Sequence, residues 1–333
     1  MKSSKLITEV VVKPSGWKIN HHAHVLTLGS CFAEVLGQQL KDYKYPVLNN
    51  PFGTVFNPLT ITKILDMALE GKSPDPALYI TNTDGIQLHH DFHSSQWGVE
   101  HKVFDAELTA KLGKLKGFLR SANVLVITLG TAYAYRHRAL NAVVGNCHKI
   151  PADKFVKELL HQDQILMSFE QILFKLQTFN RNLKIILTVS PVRHTKDTLI
   201  LNQVSKSILR IVCHRLSEKF KQVEYFPSYE IMVDELRDYR YYEEDLIHPN
   251  KIAEDYIFNT FVNSFVDTPS QDFMKEWLSV RQALNHKPQH GFTISQLHLL
   301  QSLHEKLSEM DGRADVTQEL EEVKRRIAEF PDF

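Results

Sequence analysis

A serine that follows a strand and opens a helix stands beside backbone N–H groups with no partner inside the helix, and those groups favour negative charge. Ser30 has this setting in Val25-Leu26-Thr27-Leu28-Gly29-Ser30-Cys31-Phe32-Ala33. A short apolar run of strand type ends at Gly29-Ser30, and Phe32, Leu36 and Leu40 then recur at helical spacing with Val35 beside them. Gly29 gives the bend a backbone freedom that a Cβ would oppose. The same position also suits a plain helix N-cap, which contributes about 1 kcal/mol and no chemistry. The flanking residues are not the G-x-S-x-G elbow, since Leu28 and Phe32 stand where its outer glycines would be. The second stretch is Asp245-Leu246-Ile247-His248-Pro249-Asn250. An aspartate and a histidine three apart share one turn, so the carboxylate can hold imidazole Nδ1–H and leave Nε2 to take a serine proton. Alone, this pair reads equally well as a helix-entry loop in which Asp245 caps or is merely exposed, with Pro249 at the first position of the next helix. Together, Ser30, Asp245 and His248 form an expected nucleophile, orienter and base in the chain order Ser…Asp…His.

The elements between the two stretches must bring them to one place. Residues 25–29, 124–131, 183–191 and 223–227 are apolar runs of strand type. Helical spacing predicts helices over 31–43, 59–71, 105–119, about 151–180 and 199–220, with a helix-prone region at 229–238. Strands alternating with helices imply a parallel sheet covered on both faces, with sites at the carboxyl ends of its strands. Gly29-Ser30, Gly130-Thr131 and Ser190-Pro191 lie at such ends. Residues 5–12 read as an edge strand or extended arm. From about 270 the pattern becomes purely helical: residues 272–285, then a helix opened by Thr293-Ile294-Ser295-Gln296 with Leu297, Leu300, Leu303, Leu307 and Met310 on one stripe, and a last helix carrying Val316, Leu320, Val323, Ile327 and Phe330. The expected organisation is an α/β domain over residues 1–268 and a helical C-terminal extension over 269–333. Packing on the domain is the first role expected of the extension, and a homodimer contact or a lid is the second.

Further candidates flank the strand ends. In Asn49-Asn50-Pro51-Phe52-Gly53-Thr54-Val55-Phe56-Asn57-Pro58 the Gly53 N–H and an Asn amide, from Asn50 or Asn57, are candidate oxyanion donors, and the plain alternative is loop punctuation. Gly130 is a further candidate donor, and Thr131, Tyr135, His148, Arg193 and His194 are candidate substrate contacts, with Asn50 beside them. Residues 73–100 lack periodicity and read as a substrate-facing loop. Its His89, His90, Asp91 and His93 match no standard metal spacing, and His22 and His24 lack a third ligand, so no metal is expected. Cys147 and His148 are adjacent and would face apart in an extended segment, a poor thiol dyad.

Composition narrows the classes. The 333 residues balance 39 Lys and Arg against 39 Asp and Glu, which gives no electrostatic reason to expect nucleic acid or an anionic membrane as a partner. The three cysteines are widely spaced, as in a reducing compartment. The N-terminal residues show no signal-peptide h-region, and no apolar run approaches the ~20 residues of a membrane span. A cytoplasmic location is therefore expected.

The motif Gly29-Ser30-Cys31-Phe32-Ala33, with Asn50 through Pro58, Thr128 through Tyr135, Asn146 through Lys149, Thr188 through His194 and Phe226 through Asn250, resembles the GSCFA family, a bacterial group similar to SGNH (GDSL-type) hydrolases. The resemblance covers about residues 25–265. It implies a three-layer α/β/α sandwich with a parallel, flavodoxin-like sheet. It implies Ser30 as nucleophile, His248 as base and Asp245 as its orienter, with the N–H groups of Ser30 and Gly53 as oxyanion donors and no cofactor. Two departures stand out. Gly29-Ser30 replaces G-D-S, and Ala132 stands where the superfamily's third block, G-x-N, places an asparagine. Losing one such donor costs roughly 10²–10³ in turnover. The expected activity is a serine esterase working through an acyl-enzyme on an O-acylated, carbohydrate-like substrate. The alternatives are an acyltransferase on the same residues, a catalytically weak ligand-binding protein, and metal chemistry on the 89–93 histidines.

Overall fold

The computed structural model describes residues 8–286 and 292–331; the part of the expected N-terminal arm at 5–7 lies outside them. Five strands, β1 (Val25–Gly29), β2 (Val47–Asn49), β5 (Val124–Leu129), β9 (Lys184–Val189) and β10 (Val223–Phe226), pair in the order β2-β1-β5-β9-β10. All four pairings are parallel. This is the flavodoxin-like doubly wound order, in which direction reverses between the first strand and its inner neighbour. Ser30 leaves the sheet at that reversal, between β1 and β5.

The strand period of two explains the layers. Leu26 and Leu28 of β1, Leu125 and Ile127 of β5, and Ile185 and Leu187 of β9 point to one face. There they meet helices α2 (Pro58–Glu70), α3 (His101–Ser121), α4 (Gln162–Phe179) and α5 (Leu199–Lys219). Val25, Val124, Val126 and Ile186 point to the other face, against α1 (Cys31–Asp42) and α7 (Lys251–Phe265). Each fully buried side chain of this kind contributes about 1.5–3 kcal/mol.

The connections hold most of the differences from expectation. The expected helical region from about 151 opens with a single 3-10 turn (Ala152–Lys154) and strand β8 (Phe155–Leu159), and α4 starts only after His161. β8 joins β6 (Tyr133–His137) and β7 (Ala142–Val144) in a small antiparallel sheet. Cross-strand pairs decide this: Arg136 meets Glu158 at 2.7 Å, and the Lys157 ammonium lies 4.7 Å from the centre of the Tyr133 ring. The loop at 73–100 also carries a hairpin, β3 (Tyr79–Thr81) with β4 (Gln87–His89). The 229–238 region is a short α6 (Ser228–Glu230) that widens into a π-helical turn over Ile231–Glu235. Pro249 precedes α7 rather than opening it, because Asn250 caps that helix by accepting from the Ala253 N–H at 3.2 Å.

Helices α8 (Thr268–Asn285), α9 (Ile294–Met310) and α10 (Thr317–Ala328) form their own apolar cluster from Phe273, Trp277, Leu300, Leu303, Leu307 and Val323. The cluster is tied to the far end of α1: Trp277 Nε1 donates to Asp42 O at 2.7 Å, and Lys44 pairs with Glu319 at 2.7 Å. No helix among the described residues is long and apolar enough to cross a membrane.

Gly29 fixes where the first strand ends. Its φ is +129°, and a Cβ there would meet Thr128 O at 2.1 Å. Strain and overlap together lead us to expect Gly29→Ala to lower unfolding stability by roughly 2–6 kcal/mol. Chemical denaturation read by circular dichroism checks this, and a midpoint equal to wild type would show that the close approach is dispensable.

Candidate active site

Ser30 occupies the N-cap position of α1, with extended backbone, yet its side chain makes no capping hydrogen bond. The residue is 1% exposed, and its hydroxyl has no hydrogen-bond partner among the described residues. A plain cap would have used that oxygen. A buried hydroxyl left unpaired costs about 1–3 kcal/mol, so its retention calls for an explanation outside folding. The Thr128 hydroxyl beside it is also unpaired.

Asp245 and His248 meet as their spacing anticipates. The imidazole Nδ1 lies 2.6 Å from Asp245 Oδ2, and Asp245 Oδ1 accepts the N–H groups of Ile247 at 2.8 Å and His248 at 3.0 Å. The hydrogen bonds from the His248 N–H, the His248 ring and the Ile247 N–H hold the Asp245 carboxyl down to about 2. The aspartate therefore stays ionised at neutral pH and holds imidazole Nδ1 against it. Glu243 N–H closes the turn on His248 O at 2.8 Å, and Leu246 takes φ +58°, a strained value for a leucine. Arg193 clamps the turn to the segment that leaves β9: its N–H donates to Ile247 O at 3.2 Å and its Nη1 to Leu246 O at 3.0 Å. The side chains of His248 and Asp245 are 49% and 46% exposed. The Arg193 clamp thus ties the His248 turn to the carboxyl side of β9, and no hydrogen bond joins His248 to Ser30.

The expected oxyanion donors all have hydrogen-bond partners within the fold. The Ser30 N–H donates to Thr128 O at 3.0 Å, Gly53 N–H to Asn50 O at 2.8 Å and Gly130 N–H to Phe56 O at 3.1 Å. Asn57 caps α2, accepting from Thr60 N–H at 2.9 Å, and its Nδ2 donates to Val144 O at 3.1 Å. All four groups serve turns and caps that sequence spacing cannot distinguish from donors awaiting a ligand.

Several expected substrate contacts are likewise committed elsewhere. The Asn50 amide accepts from Gly29 N–H at 3.1 Å and so holds the serine turn. Thr131 Oγ1 lies 3.0 Å from Ser205 Oγ. Both ring nitrogens of His148 are used, Nδ1 toward Ser94 Oγ at 3.2 Å and Nε2 toward His89 O at 2.9 Å. Arg193 acts on the His248 turn, and its guanidinium lies 4.0 Å from the Tyr242 ring centre. The His194 ring and the Tyr135 hydroxyl make no hydrogen bond among the described residues, and burial keeps His194 below the usual imidazole range. The loop at 73–100 turns its polar groups inward: His89, His90 and Asp91 are buried, and Asp91 pairs with Lys63 at 2.7 Å. Among the described residues no three His, Cys, Asp or Glu side chains converge as metal ligands.

One group at this edge escaped the sequence reading. Lys206 of α5 is buried, and its Nζ donates to Gly130 O and Ser190 O, each at 2.8 Å. The signal was present, because Lys206 falls on the buried stripe of Asn202, Ser205, Leu209, Val212, Cys213 and Leu216, where a lysine is out of place.

Residues 24–261 match the GSCFA family, and residues 277–329 match the GSCFA domain protein, C-terminal domain. The chain belongs to the GSCFA family. No curated protein matches it in sequence. Among solved structures it is similar to a carbohydrate esterase family 3 enzyme from Talaromyces cellulolyticus, at 9% identity and TM-score 0.36, covering 76% of this chain and 99% of that one. A Clostridium thermocellum family 3 carbohydrate esterase matches at 12% identity and TM-score 0.31, covering 76% and 98%. A carbohydrate esterase family 2 enzyme with a carbohydrate binding domain, from Corynascus thermopiles (Myceliophthora fergusii), matches at 14% identity and TM-score 0.28, covering 47% of this chain and only 38% of that one.

The unpaired hydroxyl yields a stability prediction. Ser→Ala at a working N-cap costs about 1 kcal/mol. Here the cap bond is absent, so Ser30→Ala is expected to leave stability unchanged or to raise it by up to about 1–3 kcal/mol. Thermal and urea unfolding of the two proteins would measure this, and a clear loss of stability would return Ser30 to a structural role.

Proposed function

We propose that the protein is a serine hydrolase of ester bonds, with Ser30 as nucleophile, His248 as general base and acid, and Asp245 as its orienter. The observation that carries the reading is the buried Ser30 hydroxyl, without a hydrogen-bond partner among the described residues, at the reversal point of the sheet. The oriented Asp245–His248 pair supports it from the same sheet edge. Ser30 Oγ attacks the acyl carbonyl carbon while its proton passes to His248 Nε2. The tetrahedral intermediate collapses, the alcohol leaves with that proton, and water releases the acyl group by the same steps in reverse. An O-acylated, carbohydrate-like alcohol is the first substrate class to examine. A non-water acceptor would make the same residues a transferase. A non-catalytic ligand-binding role has one specific observation in its favour, the engagement of the four expected oxyanion donors.

A fluorophosphonate probe separates these readings. Attack by Ser30 forms an Oγ–P bond and expels fluoride, and the serine proton goes to the base. Folded wild-type protein is expected to label at Ser30, with labelling abolished in Ser30→Ala and reduced on the order of 10³-fold or more in His248→Ala. Wild-type protein that stays unlabelled would support the binding role instead.

A further inference from the structure

The turn that carries Ala132 is held by two neighbouring residues of α5. Ser205 Oγ accepts the Ala132 N–H at 2.7 Å, and Lys206 Nζ takes Gly130 O and Ser190 O at 2.8 Å each. These are the carbonyls just past the carboxyl ends of β5 and β9. Gly130 lies two residues beyond Thr128, whose carbonyl receives the Ser30 N–H. Strands β1 and β5 are adjacent, about 4.8 Å apart, so the ammonium sits at the same corner of the sheet as the serine.

The chemistry of Lys206 is unbalanced. An ammonium has three N–H donors, and two are placed. The third has no hydrogen-bond acceptor and no carboxylate pairs with Lys206 among the described residues, although the ammonium lies 5.6 Å from the centre of the Tyr229 ring. A buried cation without a counter-charge is expensive, and such groups are kept where negative charge arrives. We propose that Lys206 is a further catalytic residue, whose ammonium and remaining N–H stabilise the oxyanion formed on the substrate when Ser30 attacks, in the role that an asparagine at 132 would otherwise fill. This rests on the hydrolase reading above.

A pH signature follows. Burial holds the Lys206 ammonium down to about 7. Below that pH the group carries three donors and a charge. Above it the amine keeps two N–H groups, both matched to the two carbonyls, and the third donor is gone. The groups facing it do not change charge in this range. Burial pushes the Cys31 thiol up on the α1 side and the Tyr229 hydroxyl up on the α6 side. On the segment after β9, burial pushes His194 down. The sign is therefore fixed: stabilisation of the oxyanion is complete below about 7 and is lost as pH rises.

The test is the second-order rate constant for fluorophosphonate labelling of Ser30 between pH 6 and 9, in wild type, Lys206→Met and Lys206→Arg. Wild type is expected to fall about tenfold per pH unit above pH 7. Lys206→Met is expected to label roughly 10²–10³-fold more slowly at pH 6.5, with no decline above 7. Lys206→Arg keeps its charge throughout and is expected to lose the decline. If neither variant folds, the wild-type profile decides alone, because a rate that stays level or rises through pH 7–9 overturns the proposal. Lys206→Met labelling as fast as wild type, with the same profile, would overturn it while leaving the hydrolase reading standing. Wild-type protein that never labels at Ser30 would take down both.

Discussion

The site depends on how closely two strand ends approach one another. Gly29 lies against the Thr128 carbonyl in a backbone conformation open to glycine, and no side chain fits between them. That approach lets the Thr128 carbonyl take the Ser30 N–H, while Asn50 holds the Gly29 N–H from the other side. The peptide on either side of the serine is thereby fixed by neighbouring strands and loops before α1 begins. In the proposed role such rigidity matters, because misplacement by about 1 Å costs on the order of 10²-fold in rate. Among the described residues the side chain itself is left out of the hydrogen-bond network, and that exclusion distinguishes it from an ordinary helix cap.

Around that fixed point the polar groups are nearly all spoken for. Turn N–H groups go to turn carbonyls, Asn57 caps a helix, Arg193 secures the His248 turn, and His148 closes the loop beneath the small antiparallel sheet. This is ordinary economy for buried backbone. Helix α5 reaches the same edge through Ser205, which accepts the Ala132 N–H, and Lys206, which donates to Gly130 O.

The parts of the fold written in short-range pattern were legible. Continuous apolar runs marked β1, β5 and β9, and helical spacing marked α1, α2 and α5, because burial on both faces of a parallel sheet leaves a strong periodic trace. Asp245 and His248 were legible as a pair because three residues span one turn. The small antiparallel sheet was not, since β8 is held by partners on β6 some twenty residues away in sequence and its own residues are only half apolar. Lys206 was hidden for a related reason: its two carbonyl partners lie on loops whose approach is a property of the assembled sheet. The internal partners of Gly53, Gly130 and Asn57 were not legible either, because composition shows that a glycine or asparagine is present and not which carbonyl has taken its N–H.

Helix α1 is anchored at both ends, and this restricts the changes of length it can absorb. Ser30 at its start is registered against β5, and Asp42 at its end receives Trp277 of the C-terminal helices. A helix turns about 100° and advances about 1.5 Å for each residue. Inserting or deleting a single residue between these anchors would therefore swing Leu36 and Leu40 off the sheet or carry Asp42 away from the indole. Surface connections such as the Thr81–Gln87 hairpin can change length at little energetic cost. The twelve-residue span of α1 cannot, so the distance from the serine to the C-terminal helices behaves as a fixed ruler within the fold.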